Sequence, residues 1–145
     1  IGSAQRSHEI DNPFTCGERI EMIRDALRDA GIDPQRIIIA AVPDTIESHS
    51  LWVAQVELYV PSFDAIFTNE PLTKRLCVEA GYKVEPVPFF RRELYWATVF
   101  RQRVLERKAW ESIVPPSVAS WLKNHQGEKR IIDTAQNDTP HNNKR

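Results

Sequence analysis

The sequence predicts an α/β protein: a doubly wound parallel sheet of the Rossmann-like kind, with helices closing its C-terminal end. Three observations predict it: an amphipathic helix starting at Thr15, short apolar runs near 36–42, 63–68 and 82–86, and helical segments between those runs. Alternating strands and helices build βαβ units, whose strands pair in parallel because each crossover helix returns the chain to the same end of the sheet. Ligands of such sheets sit beyond the carboxyl ends of the strands, where loops lead into helices.

Each element has its own signal. Ile1-Gly2-Ser3-Ala4-Gln5 reads as a strand end running into a loop, and with Ile rather than Met first the chain is expected to continue upstream. Thr15 and Glu18 have capping-box spacing, and Ile20, Ile23 and Leu27 recur at helical spacing until Gly31. The β-branched run 36–42, closed by Pro43, predicts a central parallel strand buried on both faces. Leu51, Trp52, Val56 and Tyr59 follow a helical pattern that Pro61 ends. The run 63–68 predicts a strand, Pro71 opens a helix that stops at Gly81, and 82–86 predicts a third strand. Helices are expected over 95–107, near 110–113 and from Pro116 onward, while 133–145 is polar and aperiodic and is expected to be a disordered tail.

Composition narrows the class. The chain has 145 residues, 41% hydrophobic and 27% charged, which suits one folded domain over 1–132. A net charge of -1 offers no whole-molecule attraction to nucleic acid or anionic membrane, so any anion site must be local. The two cysteines, Cys16 and Cys77, form no CxxC pair and have no histidines at ligand spacing, which argues against a disulfide framework or a zinc site. The longest apolar run, 37–42, is far short of the ~20 residues that span a bilayer. A soluble, cytoplasmic protein is expected.

Three places could carry chemistry. Thr98-Val99-Phe100-Arg101 falls in the first turns of a helix, where free N–H groups and the helix dipole favour an anion. Thr98 and Arg101 share a helix face there, so the pair fits phosphate binding, although by spacing alone an ordinary cap followed by a surface arginine is the stronger reading. The loop 3–15 lies between a strand end and a helix start, the position that faces the ligand crevice, and by composition it could be a plain βα loop. Trp52, beside Leu51 and Val56, fits core packing by residue statistics.

Together these segments resemble the archaeal-type nicotinamide-mononucleotide adenylyltransferases of the H-x-G-H nucleotidyltransferase superfamily. The matching pieces are Ile1-Gly2-Ser3-Ala4-Gln5, Ser7-His8, Asn12-Pro13-Phe14-Thr15-Cys16-Gly17-Glu18-Arg19, Leu51-Trp52-Val53, Pro61-Ser62-Phe63-Asp64, Asn69-Glu70-Pro71-Leu72 and Thr98-Val99-Phe100-Arg101, collinear over about 1–125. The resemblance implies transfer of AMP from ATP to nicotinamide mononucleotide (NMN), giving NAD and pyrophosphate, with Mg2+ or another divalent cation accompanying ATP. It implies that Gly2, Ser3 and Phe14 belong to the loop enclosing NMN, that Trp52 stacks on the nicotinamide ring beside His49, and that Thr98 and Arg101 hold the ATP phosphates through catalysis. It also implies a homo-oligomer, with no nucleic-acid or membrane partner.

The sequence departs from the family pattern in named places. The G-R-F-Q-P-F-H-x-G-H segment, which the family carries on its first strand and helix, is absent, and no His-x-x-His occurs. The first strand, the first helix and the catalytic histidines are therefore expected upstream of Ile1, and the chain as given is expected to be poorly active. Trp96 stands at the serine of the family's S-x-T-x-x-R motif and Ala97 at its common glycine; Asp11 stands where some relatives carry arginine, and His49 where some carry asparagine. Two alternatives remain: a catalytically silent nucleotide-binding module, or an adenylyltransferase for another phosphorylated acceptor such as pantetheine phosphate or a flavin nucleotide. Trp52 disfavours pantetheine, which lacks a flat aromatic group.

Overall fold

Helix ends carry much of the local architecture. In the computed structural model, which describes residues 1–45 and 48–137, α1 spans Cys16–Asp29. The Glu18 N–H donates to the Thr15 hydroxyl at 3.2 Å, and the Thr15 N–H donates to the Glu18 carboxylate at 2.8 Å. Two donors that a helix start leaves unsatisfied are thus met reciprocally. At the far end Gly31 adopts φ +66°, and the N–H groups of Gly31 and Ile32 donate to the carbonyls of Arg28 and Leu27. This six-residue closure needs a left-handed residue, which glycine adopts without a Cβ clash.

Residues Ile1–Ala4 and Ala40–Phe90 form one compact unit. It holds a 3-10 turn at His49–Leu51, α2 (Trp52–Tyr59), β1 (Ala65–Phe67), α3 (Pro71–Glu79) and β2 (Lys83–Glu85). Strands β1 and β2 pair in parallel with Ile66 opposite Val84, and α3 carries the chain between them. The result is a βαβ unit, the building block of a doubly wound sheet. Glu70 caps α3 by accepting the N–H groups of Leu72 and Thr73, and those bonds hold its carboxyl below the usual range. Gly81, at φ +86°, ends α3 with the same closure as α1, the Tyr82 N–H reaching the Cys77 carbonyl at 2.9 Å. Among the described residues of this unit, Val42, Val53 and Cys77 are the buried apolar side chains, Cys77 with no exposed surface. The Ile1 amino group donates to the Ala40 carbonyl and the Val42 N–H to the Ile1 carbonyl, the slanted pattern of a parallel ladder.

Residues Gln5–Ile39 and 91–137 form the second unit. Helix α1 packs along α6 (Pro116–Asn124), and α7 (Gly127–Asn137) packs on both α6 and α5 (Ala97–Leu105), which follows the short α4 (Arg92–Tyr95). Phe14, Met22, Val104, Trp110, Ile113, Trp121, Leu122 and Ile131 make its core. Arg130 of α7 donates to both carboxylate oxygens of Glu18 at 2.6 and 2.5 Å. Burial pushes the Glu18 carboxyl up, but the bonds from Arg130 and Thr15 outweigh it and hold the group below its usual value of 4.5.

The structure departs from the sequence reading in three stretches. Over 36–42 no regular strand forms, and Ile38 is 72% exposed rather than buried on both faces. A β-branched run permits a strand but does not supply its partner, and here the pairing with the opening residues reaches only Ala40 and Val42. The expected helix over 95–107 is broken at Trp96, whose backbone is extended at φ -75° and ψ 134°; α4 ends before it and α5 starts after it. Residues 133–137, expected in a disordered tail, continue α7, where Ile131 and Thr134 face the core one turn apart; 138–145 lie outside the described residues.

Two tests follow from the helix ends. A Cβ at Gly81 would meet nothing within 4 Å, so Gly81→Ala is expected to cost about 1–2 kcal/mol from backbone conformation alone, read by urea unfolding. Glu18→Gln is expected to cost about 1–2 kcal/mol at neutral pH. Because the folded carboxyl titrates below 4.5, its contribution is present above that pH and fades as pH falls through the folded value. Stability curves of wild type and Glu18→Gln should therefore converge in acid.

Candidate functional site

The first set of candidate side chains lies in the sheet-bearing unit. The Trp52 N–H donates to the His49 carbonyl at the close of the 3-10 turn, which brings these two side chains to one side of the α2 start. Leu72, Thr73 and Leu76, on one face of α3, stand across from them. Together with Asp44 and Thr45 these residues line a cavity of about 190 Å³. Trp52 is half-buried and His49 exposed. The wall at Asp44 is pinned from the opening segment: the N–H and the hydroxyl of Ser3 both donate to Asp44 Oδ1, at 3.2 and 3.0 Å. Ser3 takes φ +49° at this point, and Gly2 beside it is exposed. A cavity with an indole, aliphatic side chains and one carboxylate suits a flat ring that bears a hydrogen-bond donor.

The second set lies in the helical unit. Trp96 occupies the cap position of α5, and no side chain caps that helix. Thr98 is its second residue and is exposed, while Arg101, one turn on, is 18% exposed. The Arg101 guanidinium donates to Asp11 Oδ1 at 3.2 Å. The loop carrying Asp11 is fixed by a reciprocal pair of backbone hydrogen bonds between Glu9 and Asn12. The Trp96 ring is half-exposed, with the Arg92 guanidinium 4.6 Å from its centroid, a cation–π arrangement. An uncapped helix start with a hydroxyl and a guanidinium on its first turns can hold an anion.

The sequence-predicted residues therefore fall in three places. His49 and Trp52 line one cavity, and Ser3 bonds the Asp44 of its wall. Thr98 and Arg101 share the opening turns of α5. Phe14, expected in the loop that encloses NMN, is 7% exposed and meets Trp121 edge-on at 5.8 Å, because the residue before the Thr15 cap turns inward where α1 packs on α6. Asp44 escaped the sequence reading although it had a signal, standing after Pro43 at the carboxyl end of the 36–42 run, where such sheets place ligands. The Asp11–Arg101 pairing spans ninety residues of sequence and has no local signal. Among the described residues no three His, Cys, Asp or Glu side chains converge as a metal site, and no helix is long and apolar enough to cross a membrane.

No protein-family model matches the chain. It is 40% identical over 138 residues to the nicotinamide-nucleotide adenylyltransferase of Saccharolobus solfataricus, covering 95% of this chain and 80% of that one. It is 45% identical over 142 residues to the enzyme of that name from Archaeoglobus fulgidus, again covering 95% and 80%. Against the Thermococcus sibiricus enzyme of the same name identity is 44% over 131 residues, covering 90% and 70%. Parallel βαβ pairing with similarity of this extent defines an α/β nucleotidyltransferase. More narrowly, the chain belongs to the nicotinamide-nucleotide adenylyltransferase family.

The placement of Phe14 has a measurable consequence. Phe14→Ala is expected to cost about 3–5 kcal/mol, the usual range for truncating a core aromatic, read as a fall in the denaturant midpoint with an unchanged slope.

Proposed function

We propose that this chain transfers AMP from ATP to NMN, giving NAD and pyrophosphate. The observation that carries this reading is the 45% identity to the Archaeoglobus fulgidus enzyme across 95% of the chain. The NMN 5′-phosphate attacks the α-phosphorus of ATP in line, one P–O bond forms as another breaks, and pyrophosphate leaves. No protein nucleophile is required, so the protein contributes positioning and charge stabilisation.

The residues divide accordingly. Trp52 offers its face to the nicotinamide ring, with His49 beside it, while Ser3, next to Gly2, closes the wall through Asp44. Thr98 and Arg101 hold phosphate oxygens, Arg101 exchanging the Asp11 carboxylate for the more highly charged triphosphate. A divalent cation such as Mg2+ would bind the phosphates of ATP and neutralise their charge; no described cluster of this chain fits it as a resident ion. Assembly into a homo-oligomer is part of the same proposal.

The test is NAD formation from NMN and ATP by the full gene product. Trp52→Ala is expected to raise KM for NMN about tenfold or more through lost stacking, with KM for ATP nearly unchanged. Arg101→Ala is expected to lower kcat/KM for ATP roughly a hundredfold or more, the scale for losing one group aimed at developing charge. Binding of ATP without any turnover would instead favour a silent nucleotide-binding module, an outcome to which Trp96 at the motif's serine position lends weight.

A further inference from the structure

We infer that Asp11 sets how tightly the start of α5 holds nucleotide phosphates, because its carboxylate occupies the Arg101 guanidinium as an internal competitor that an incoming triphosphate must displace. The inference rests on the reading of Thr98 and Arg101 as the phosphate-holding pair. It adds to that site a residue whose charge opposes the ligand.

The charge of Arg101 is answered from a distant part of the chain. Its side chain is largely buried, 18% exposed, yet the Asp11 carboxylate it meets is 75% exposed and takes a single hydrogen bond of 3.2 Å. Glu18 and Arg130 make the contrast: both of those side chains are a quarter exposed or less, and the guanidinium reaches both carboxylate oxygens. A two-bond, half-sheltered pair fastens helices together, whereas an exposed carboxylate on one bond is weakly held and readily displaced. Gln102 and Arg103, the next residues of α5, are held by Glu106 and the Ala109 carbonyl of their own segment. Arg101 reaches instead to the loop before α1.

That loop keeps the carboxylate close. Glu9 and Asn12 exchange backbone hydrogen bonds of 3.2 and 3.0 Å, which closes the turn carrying Asp11. Breaking the ion pair therefore needs only rotation of the Asp11 side chain, and the displaced carboxylate stays beside the bound phosphates. Competition and like-charge repulsion then act in one direction: both weaken ATP binding, and both favour the departure of pyrophosphate. Together they are worth about three- to tenfold in affinity.

The experiment measures binding of ATP and of inorganic pyrophosphate to the full gene product by calorimetry, for wild type, Asp11→Asn and Asp11→Ala. Both variants are expected to bind each ligand about three- to tenfold more tightly than wild type, with KM for ATP falling by a similar factor. In an Arg101→Ala background the same Asp11→Asn change is expected to lose most of that gain, since the competitor then has no guanidinium to occupy. Folded variants that bound pyrophosphate no more tightly than wild type would overturn the inference, and weaker binding would show that the carboxylate orders Arg101 for the ligand instead of competing with it. A gain that survived intact in the Arg101→Ala background would also overturn it. Tighter pyrophosphate binding by the variants in a protein that makes no NAD would uphold the role of Asp11 and count against the proposed reaction; unchanged binding in a protein that makes NAD would do the reverse.

Discussion

Along α1, carboxylates fasten the helical unit. Glu18 completes the cap of its own helix and accepts Arg130 of α7; Glu21 accepts the indole N–H of Trp121 at 3.1 Å; Asp29 accepts the Ser117 N–H at 3.0 Å. Helix α6 starts on prolines and has no side-chain cap of its own, so Asp29 supplies from another helix the acceptor that a local residue usually provides. Each contact places a carboxylate against a donor, and the spacing 18, 21, 29 runs the length of α1. Phe14 and Met22 then enter the core on the face that these bonds hold against α6. Without Glu18 the start of α1, the aromatic stack behind it and the last helix would all lose a shared anchor.

The sheet-bearing unit uses a different constraint. Its cavity wall depends on Ser3 and Asp44, which stand 41 residues apart and meet because the opening residues lie in parallel beside 40–42. Chemistry that needs only orientation and charge is well served by such a wall, since a hydrogen-bonded carboxylate and an indole hold their geometry before any ligand arrives. Thr98 and Arg101, the residues proposed to hold phosphate, lie on the opening turns of α5. Arg101 there already has a carboxylate to hold, so its guanidinium is oriented before a phosphate competes for it.

Local chemistry was legible in the sequence and distant pairing was not. The Thr15 cap, the Pro71 start and the Gly31 and Gly81 stops are each written within a few residues, and all four appear where spacing puts them. Short strands at 65–67 and 83–85 were legible too, because apolar runs bounded by turn residues leave few other choices. The run at 36–42 misled because β-branched residues state a preference for extended backbone without naming the neighbour that would bury it. The burial of Phe14 was not legible, because membership of a loop motif says nothing of which way a ring turns. Asp44 with Ser3, Asp11 with Arg101 and Glu18 with Arg130 are separated by 41, 90 and 112 residues, and no periodicity reports such meetings.

Cys77 sits on the inner face of α3 with no exposed surface, and burial pushes its thiol above the usual range. Cys16, at the first position of α1, is partly exposed. A thiol reagent therefore reaches Cys16 in the folded protein but must wait for the sheet-bearing unit to open before it reaches Cys77. The delay between the two modifications makes this thiol a built-in clock for the breathing of the unit that carries Trp52. A ligand seated against α3 would slow that clock in proportion to how firmly it holds the unit closed.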